Sequence, residues 1–436
     1  MVISKLMRAW PLAESARRTE RGLNTSSRER IHMSQPLDLT TVAGHRARTT
    51  FKDLWQAQLE RWYAHPGLYR WSLSNPLTRW LTRRRTHKLF DLMSGFVHSQ
   101  VLLACVRLDL FRALHHAPAD LAELARRTKL APSVLQRLLL SAVALGLLEQ
   151  RSHGRYGLGP LGVPLAQHEG IAQMIEHNHL LYQDMQDPLH FLGDAWRGGM
   201  ADYWPYAHVK SAPTPDANGV DKFTRYSELM AASQGFVVQE ILSSYFFGEH
   251  RCVLDVGAGR GRFVSELAVH APHLNFMMFD LPPVLSLARE NLQAKGLSDR
   301  VSLHPGSFLD DPLPQGADLI SLVRVAHDHP DAVVRQILQK AYDALPVGGT
   351  ILVAEPMALS EPGGGSNDAS VDAYFHFYLL AMGDGRLRTP QELMDMIKAA
   401  GFTHVERVPN AMPIHAQILL GRKSKCLPFD IEKSVN

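Results

Sequence analysis

Apolar and polar residues follow three different rhythms along this chain. Over 86–167, apolar positions recur every three to four residues. "HKLFDLMSGFVHSQVLLACVRLDLFRAL" predicts a long helix or a helix pair. "DLAELARRTKLAPSVLQRLLLSAV" predicts a short amphipathic helix, a turn at Leu130–Pro132 and a second helix, and "GLLEQRSHGRYGLGPLG" predicts a two-stranded wing. From about Arg251 the rhythm changes to short apolar runs separated by helical patterns. "CVLDVGAGRGRFVSELAVHAP" and "LNFMMFDLPPVLSLARENLQAKG" each read as strand, turn, helix; the stretch to "PVGGTILVAEPM" adds three strands and a helix. That alternation marks an open parallel sheet. "PQELMDMIKAAGFTHVERVP" and "AQILLGRK" supply a last helix and a hairpin at the sheet edge. The third rhythm lies earlier: 51–85 is rich in Trp, Arg and Leu at helical spacing, broken at Pro66 and Pro76.

The predicted fold class is therefore α/β, a C-terminal Rossmann-like domain preceded by a mostly helical winged-helix domain. The expected segments are a disordered tail over 1–50 (with Met33 as a second candidate start), a Trp/Arg-rich helical stretch over 51–85 and the winged helix over 86–170. A helical connector over 171–245, the α/β domain over 246–422 and a tail over 423–436 complete the chain.

Charge narrows the function. The net charge of +3 gives no call for nucleic acid. The second winged-helix helix carries one Arg and no Lys, which suits packing and dimerisation better than DNA reading, although a transcriptional regulator stays open as an alternative. Cys105, Cys252 and Cys426 lie far apart, so no disulfide framework is expected and a cytoplasmic location is. His177 and His179 stand two apart, off a common helix face, and no metal site is expected. The longest apolar stretch, near "LQRLLLSAVALGLL", is too short to span a bilayer, so no spanning helix is expected. "LTRRR" reads as a solvated helix face or as a contact with lipid head groups.

The chemistry starts in "DVGAGRGR". Gly257, Gly259 and Gly261 follow a strand, and glycines there let the backbone turn tightly and a ligand approach. The next strand ends in Asp280, placed to reach the hydroxyls of a bound ribose. Asp255, two residues before the first glycine, suits the cationic S-adenosylmethionine better than the pyrophosphate of a dinucleotide. Further on, "SLVRVAHDHPDAVV" runs from strand to helix. His327 is the candidate base there, with Glu355 ending the next strand, while Asp328, His329 and Pro330 read as the N-cap region of the following helix.

"LDVGAGRG", "FDLP", "HPGSF", "LVRVAHDH", "PVGGTILVAEP" and "GRLRTPQEL", in that order, resemble the O-methyltransferases of the caffeate/hydroxyindole type over roughly 86–422. The resemblance implies a winged-helix dimerisation domain joined to a Rossmann-like methyltransferase domain, and a homodimer using S-adenosylmethionine. It implies that Asp280 and Leu281 bind the ribose side of the cofactor and Gly257 and Gly259 its methionine part. Ser307, Phe308 and Leu309 are expected to flank the adenine, with Arg324 nearby. His327 is implied as proton acceptor and Glu355 as the acid that orients it. Met230, Phe377 and Met382 are implied to neighbour the substrate, whereas His376 is expected to line the site or join the core. Three positions depart from the pattern: Ser307 replaces an adenine-side acid, Val323 a lysine, and Leu387 a second orienting glutamate.

"WSLSNPLTRWLTRRR", "LFDLMSGFVHSQVLLACVRLDLF" and "DAYFHFYLLAMGDGR" resemble the carotenoid-pathway branch of that family more closely. That implies an acyclic carotenoid with a tertiary hydroxyl as acceptor, methylated on oxygen, and peripheral contact with a photosynthetic membrane. A small phenolic acceptor is the alternative.

Overall fold

The computed structural model describes residues 51–63, 65–193, 198–203, 234–359 and 369–424. The expected tail over 1–50 with Met33, the substrate neighbour Met230, Cys426 and most of 423–436 lie outside these residues. The chain divides into two compact units, Met1–Leu89 and Phe90–Asn436.

In the first unit, helices Phe51–Tyr63 and Pro66–Ser74 are followed by the start of a long helix, Pro76–Arg107. Both prolines sit in the first helical turn, where a missing N–H costs nothing and φ is already helical. The two expected breaks are therefore helix starts. The long helix also crosses the expected segment boundary at 85/86 without interruption. It corrects a second expectation: Thr78–Arg107 is long and apolar enough, by length and composition alone, to cross a membrane. A band of Leu89, Leu92, Met93, Phe96 and Val97 on it is exposed.

The second unit opens with the winged helix. Asp120 accepts from the N–H of Glu123 at 2.8 Å and so caps helix Leu121–Thr128. Lys129, in the left-handed conformation, ends it, and Pro132 starts helix Pro132–Ala144. β1 (Leu148–Gln150) and β2 (Tyr156–Leu158) pair antiparallel as the wing. Leu110, Leu124, Leu135, Leu139 and Leu148 close a core between these elements. Each such leucine contributes roughly 1.5–3 kcal/mol by leaving water.

The rest of the unit is built on seven strands. They are β3 (Cys252–Val256), β4 (Asn275–Asp280), β5 (Val301–Pro305), β6 (Leu319–Val323), β7 (Thr350–Glu355), β8 (Thr403–Val408) and β9 (Gln417–Arg422). Their order is β5-β4-β3-β6-β7-β9-β8. β3 to β7 run parallel, whereas β9 pairs antiparallel with β7 and with β8, which forms the edge. β6 and β7 are buried at every position, as continuous apolar runs require of strands covered on both faces. The chain leaves β3 toward β4 and β5 and returns to its other side as β6. Ligands of open α/β sheets bind at such a reversal, beside the carboxyl ends of the strands.

Candidate active site

The carboxyl ends of β3, β4, β6 and β7 carry most of the candidate residues. After β3, Gly257 and Gly259 have φ of +70° and +55°, a region that disfavours other residues. A Cβ on Gly257 would lie 2.8 Å from Val325, so this glycine lets the turn after β3 pack against the turn after β6. A Cβ on Gly259 would meet nothing within 4 Å, so this stretch of backbone faces open space. Gly259 N–H donates to Asp280 at 2.8 Å, and Leu281 N–H donates to the other carboxylate oxygen at 2.7 Å. Burial raises the Asp280 pKa to about 6 against the pull of those two N–H groups. Each oxygen keeps a lone pair for a sugar hydroxyl. An open backbone beside a fixed acid fits the ribose end of S-adenosylmethionine.

Asp255 sits deeper. It is buried in β3 and accepts from the Ser321 hydroxyl of neighbouring β6 at 2.7 Å. Burial raises its pKa to about 7, opposed by the Ser321 hydroxyl.

After β5, Ser307 supports its own loop: its hydroxyl accepts from Leu309 N–H at 3.2 Å, and its N–H donates to Asp311 at 2.8 Å. Lys340 donates to the carbonyls of Phe308, Leu309 and Asp311 at 2.8–3.0 Å, which anchors this loop to helix Asp331–Ala344. The Phe308 ring meets His329 edge-on at 5.2 Å.

After β6, Arg324 has φ of +58°, a left-handed conformation that costs roughly 1–2 kcal/mol in a side-chain-bearing residue. A short 3₁₀ turn, Ala326–Asp328, follows. Its His327 is buried, with Nδ1 2.5 Å from Glu355 Oε2 and Nε2 3.3 Å from Asp328 Oδ1. Burial pushes the His327 pKa down, but the Asp328 and Glu355 carboxylates outweigh it and leave it above the ordinary 6.5. Glu355 also accepts from the backbone N–H groups of Val325 and Ala326 at 2.8 Å.

Asp328 corrects the sequence reading. Helix Asp331–Ala344 begins at Pro330 without a side-chain cap, and Asp328 is instead buried against the His327 ring. Burial raises its pKa, opposed by His327 and Arg324. His329 is no cap either; burial and then the nearby His327 hold its pKa down at about 4. His376, expected to line the site or the core, is exposed.

Helix Ala369–Met382 brings the remaining residues. Phe377 stacks on Phe191 at 5.7 Å, and Met382 is buried with Leu181, Phe191, Met200 and Leu387. The position read as a missing acid, Leu387, is thus part of an apolar cluster.

Arg388 escaped the sequence reading. The residue is 2% exposed, and its guanidinium donates to the Ala326 carbonyl at 2.8 Å, the His329 carbonyl at 2.7 Å and Asp331 at 2.8 Å. Arg386 N–H donates to the His327 carbonyl at 3.0 Å. A Cβ on Gly385 would come within 2.5 Å of that same oxygen. The loop 385–388 therefore clasps the His327 turn from outside the sheet. The "GRLRT" motif pointed to this loop, but a partner 62 residues away leaves no local signal.

Comparison with known proteins agrees with this architecture. Residues 189–403 match an O-methyltransferase domain and residues 90–168 an O-methyltransferase dimerisation domain. The chain belongs to this O-methyltransferase family and is an S-adenosylmethionine-dependent O-methyltransferase. It is 41% identical to a demethylspheroidene O-methyltransferase of Rhodobacter capsulatus over 79% of this chain and 84% of that one. It is 38% identical to the demethylspheroidene O-methyltransferase of Cereibacter sphaeroides over 78% of this chain and 87% of that one. Among solved structures it resembles human N-acetylserotonin methyltransferase in complex with SAM, with a TM-score of 0.64, 23% identity, and 78% and 98% of the two chains covered.

Proposed function

We propose that this enzyme methylates the tertiary 1-hydroxyl of an acyclic carotenoid, converting demethylspheroidene to spheroidene or hydroxyneurosporene to its methoxy product. The two relatives named for demethylspheroidene support the acceptor. The observation that carries the chemistry is His327 held between two buried carboxylates at the end of β6. The dimerisation domain supports a homodimer.

S-adenosylmethionine, when bound, would supply the methyl group as a sulfonium electrophile, its S–CH3 bond breaking as the C–O bond forms to leave the neutral thioether S-adenosylhomocysteine. A tertiary alcohol is too weak an acid to ionise before attack, so its proton must leave as the C–O bond forms. His327 Nε2 takes that proton. Glu355 on Nδ1 fixes the tautomer that leaves Nε2 free of hydrogen, and together with Asp328 stabilises the imidazolium as it forms. Such a base contributes roughly 10²–10⁴-fold. Asp280 would hold the ribose and the Ser307–Leu309 loop would flank the adenine, and alignment of the reacting atoms would supply the remainder. The reading places the enzyme in the cytoplasm beside a photosynthetic membrane.

The test is product analysis with labelled cofactor and 1-hydroxyneurosporene or demethylspheroidene in detergent, beside a panel of small phenols. A methoxy carotenoid is expected. Label on the phenols alone would overturn the acceptor in favour of the phenolic alternative.

A further inference from the structure

We propose that the exposed aromatic and basic side chains of 51–88 form a docking surface for an anionic lipid bilayer. This stretch precedes both matched family regions, which begin at residues 90 and 189. It holds eight lysines and arginines against two acids, in a chain that carries 46 against 43 overall.

Its apolar side chains face outward. In helix Phe51–Tyr63, Phe51, Leu54 and Trp55 share one face by their spacing, and Phe51 and Trp55 are 84% and 52% exposed. Helix Pro66–Ser74 has no buried residue, and Tyr69 and Trp71 are exposed on it. On helix Pro76–Arg107, Trp80 is 65% exposed, the Arg84 guanidinium lies 5.5 Å from its ring, and Lys88 continues the same face one turn on. Arg61, Arg70, Arg83 and Arg85 are exposed as well.

Exposed Trp and Tyr beside Arg is the composition that settles at the head-group level, with rings toward the acyl boundary and cations toward phosphate. The charge chooses the occupant. A second copy of this surface would set like charges against each other, whereas an anionic head-group layer complements them. The apolar rings distinguish a bilayer from a nucleic acid, which offers them no apolar phase. The surface is built from other residues than the methyl-transfer site, so the two readings fail independently.

The test is flotation of the full-length protein with phosphatidylcholine vesicles lacking or rich in phosphatidylglycerol, whose anionic head groups attract basic segments. Recovery with the anionic vesicles is expected, weakened by salt. Trp55, Trp71 and Trp80 all changed to Ala should lower it at least tenfold, and Arg83, Arg84 and Arg85 all changed to Gln by roughly fivefold per arginine. Binding of S-adenosylmethionine should persist in both variants, which shows that they fold. Equal flotation of wild type and variants, or wild-type binding to DNA as strong as to vesicles, would overturn the proposal. So would a loss of dimers in the Trp variant with unchanged flotation, because the surface would then serve a second copy.

Discussion

Glu355 holds His327 by the ring and by the backbone at once. Its Oε2 is 2.5 Å from Nδ1, while its Oε1 accepts the N–H groups of Val325 and Ala326 at 2.8 Å each. With the His327 backbone N–H, 3.3 Å from Oε2, four donors converge on one buried carboxylate. Glu355→Gln keeps the shape and loses the charge. The kcat should fall roughly 10²-fold while the Kd for S-adenosylmethionine stays within about threefold, because proton acceptance and not cofactor binding is affected. Glu355→Ala leaves those donors unpaired and should cost about 3–5 kcal/mol in denaturant unfolding. Unchanged turnover of the Gln variant would remove Glu355 from the mechanism.

The same pair sets a pH dependence. The fold favours the imidazolium, since the folded His327 pKa lies above the ordinary 6.5. Its stabilising contribution is present in full below 6.5 and is lost as pH rises through the raised value. Turnover needs the neutral ring, so kcat should climb with pH along a limb whose apparent pKa lies above 6.5. Asp328→Asn removes a charge 3.3 Å from Nε2 and should move that limb to lower pH. A limb at or below 6.5 in the wild type, unmoved in the variant, would contradict the assignment. Because three coupled groups titrate together, the measured value belongs to the cluster.

Arg388 should act as a positioning residue. It reaches the carbonyls of Ala326 and His329, one on each side of His327, and its partner Asp331 is held well below the usual carboxylate range, at about 2, by Arg386 and Arg388. Arg388→Lys keeps the charge but cannot span three acceptors in one plane. Its kcat should fall roughly tenfold with little change in KM, and Arg388→Leu should lose stability as well. A KM effect alone would show that the clasp shapes binding and not the base.

The strand ends that carry these residues were legible because the local signals agree there: an apolar run, then a glycine turn or a polar residue. The wing and the β8–β9 hairpin followed from the same periodicity. Asp328 was misread because an acid before a proline and a helix is the ordinary sign of a cap, and only the fold shows it turned inward to His327. Arg388 was missed because its acceptors are backbone carbonyls, which any sequence supplies. The long helix passes residue 85 because no Gly or Pro lies between Leu77 and Ser94, so the change of composition there marks no break.

Ser307 offers a gain-of-function test. The family resemblance places an acid here, and the serine hydroxyl is engaged with Leu309 N–H at 3.2 Å. Ser307→Asp should keep that bond and add an acceptor for the adenine amine. One such hydrogen bond is worth about 1 kcal/mol, so the Kd for S-adenosylmethionine should fall roughly fivefold by calorimetry. A weaker Kd would place the adenine elsewhere.

Leu387 gives the opposite expectation. By resemblance it stands where a second glutamate would orient the base, so Leu387→Glu would install the acid of the family pattern. The fold argues against it. Leu387 is buried with Leu181, Phe191, Met200 and Met382, and the tyrosines of the same cluster, Tyr374 and Tyr378, are already engaged with Asn178 and His177. Meanwhile Asp328 already supplies a second acid, beside Nε2. A glutamate at 387 must stay protonated or pull the cluster open, at a cost of several kcal/mol. The variant should therefore unfold at clearly lower denaturant and show no gain in kcat. Leu387→Met, which keeps volume and polarity, should cost under about 1.5 kcal/mol and leave turnover intact. A faster, equally stable Leu387→Glu enzyme would mean that this chain had lost its second acid without replacing it.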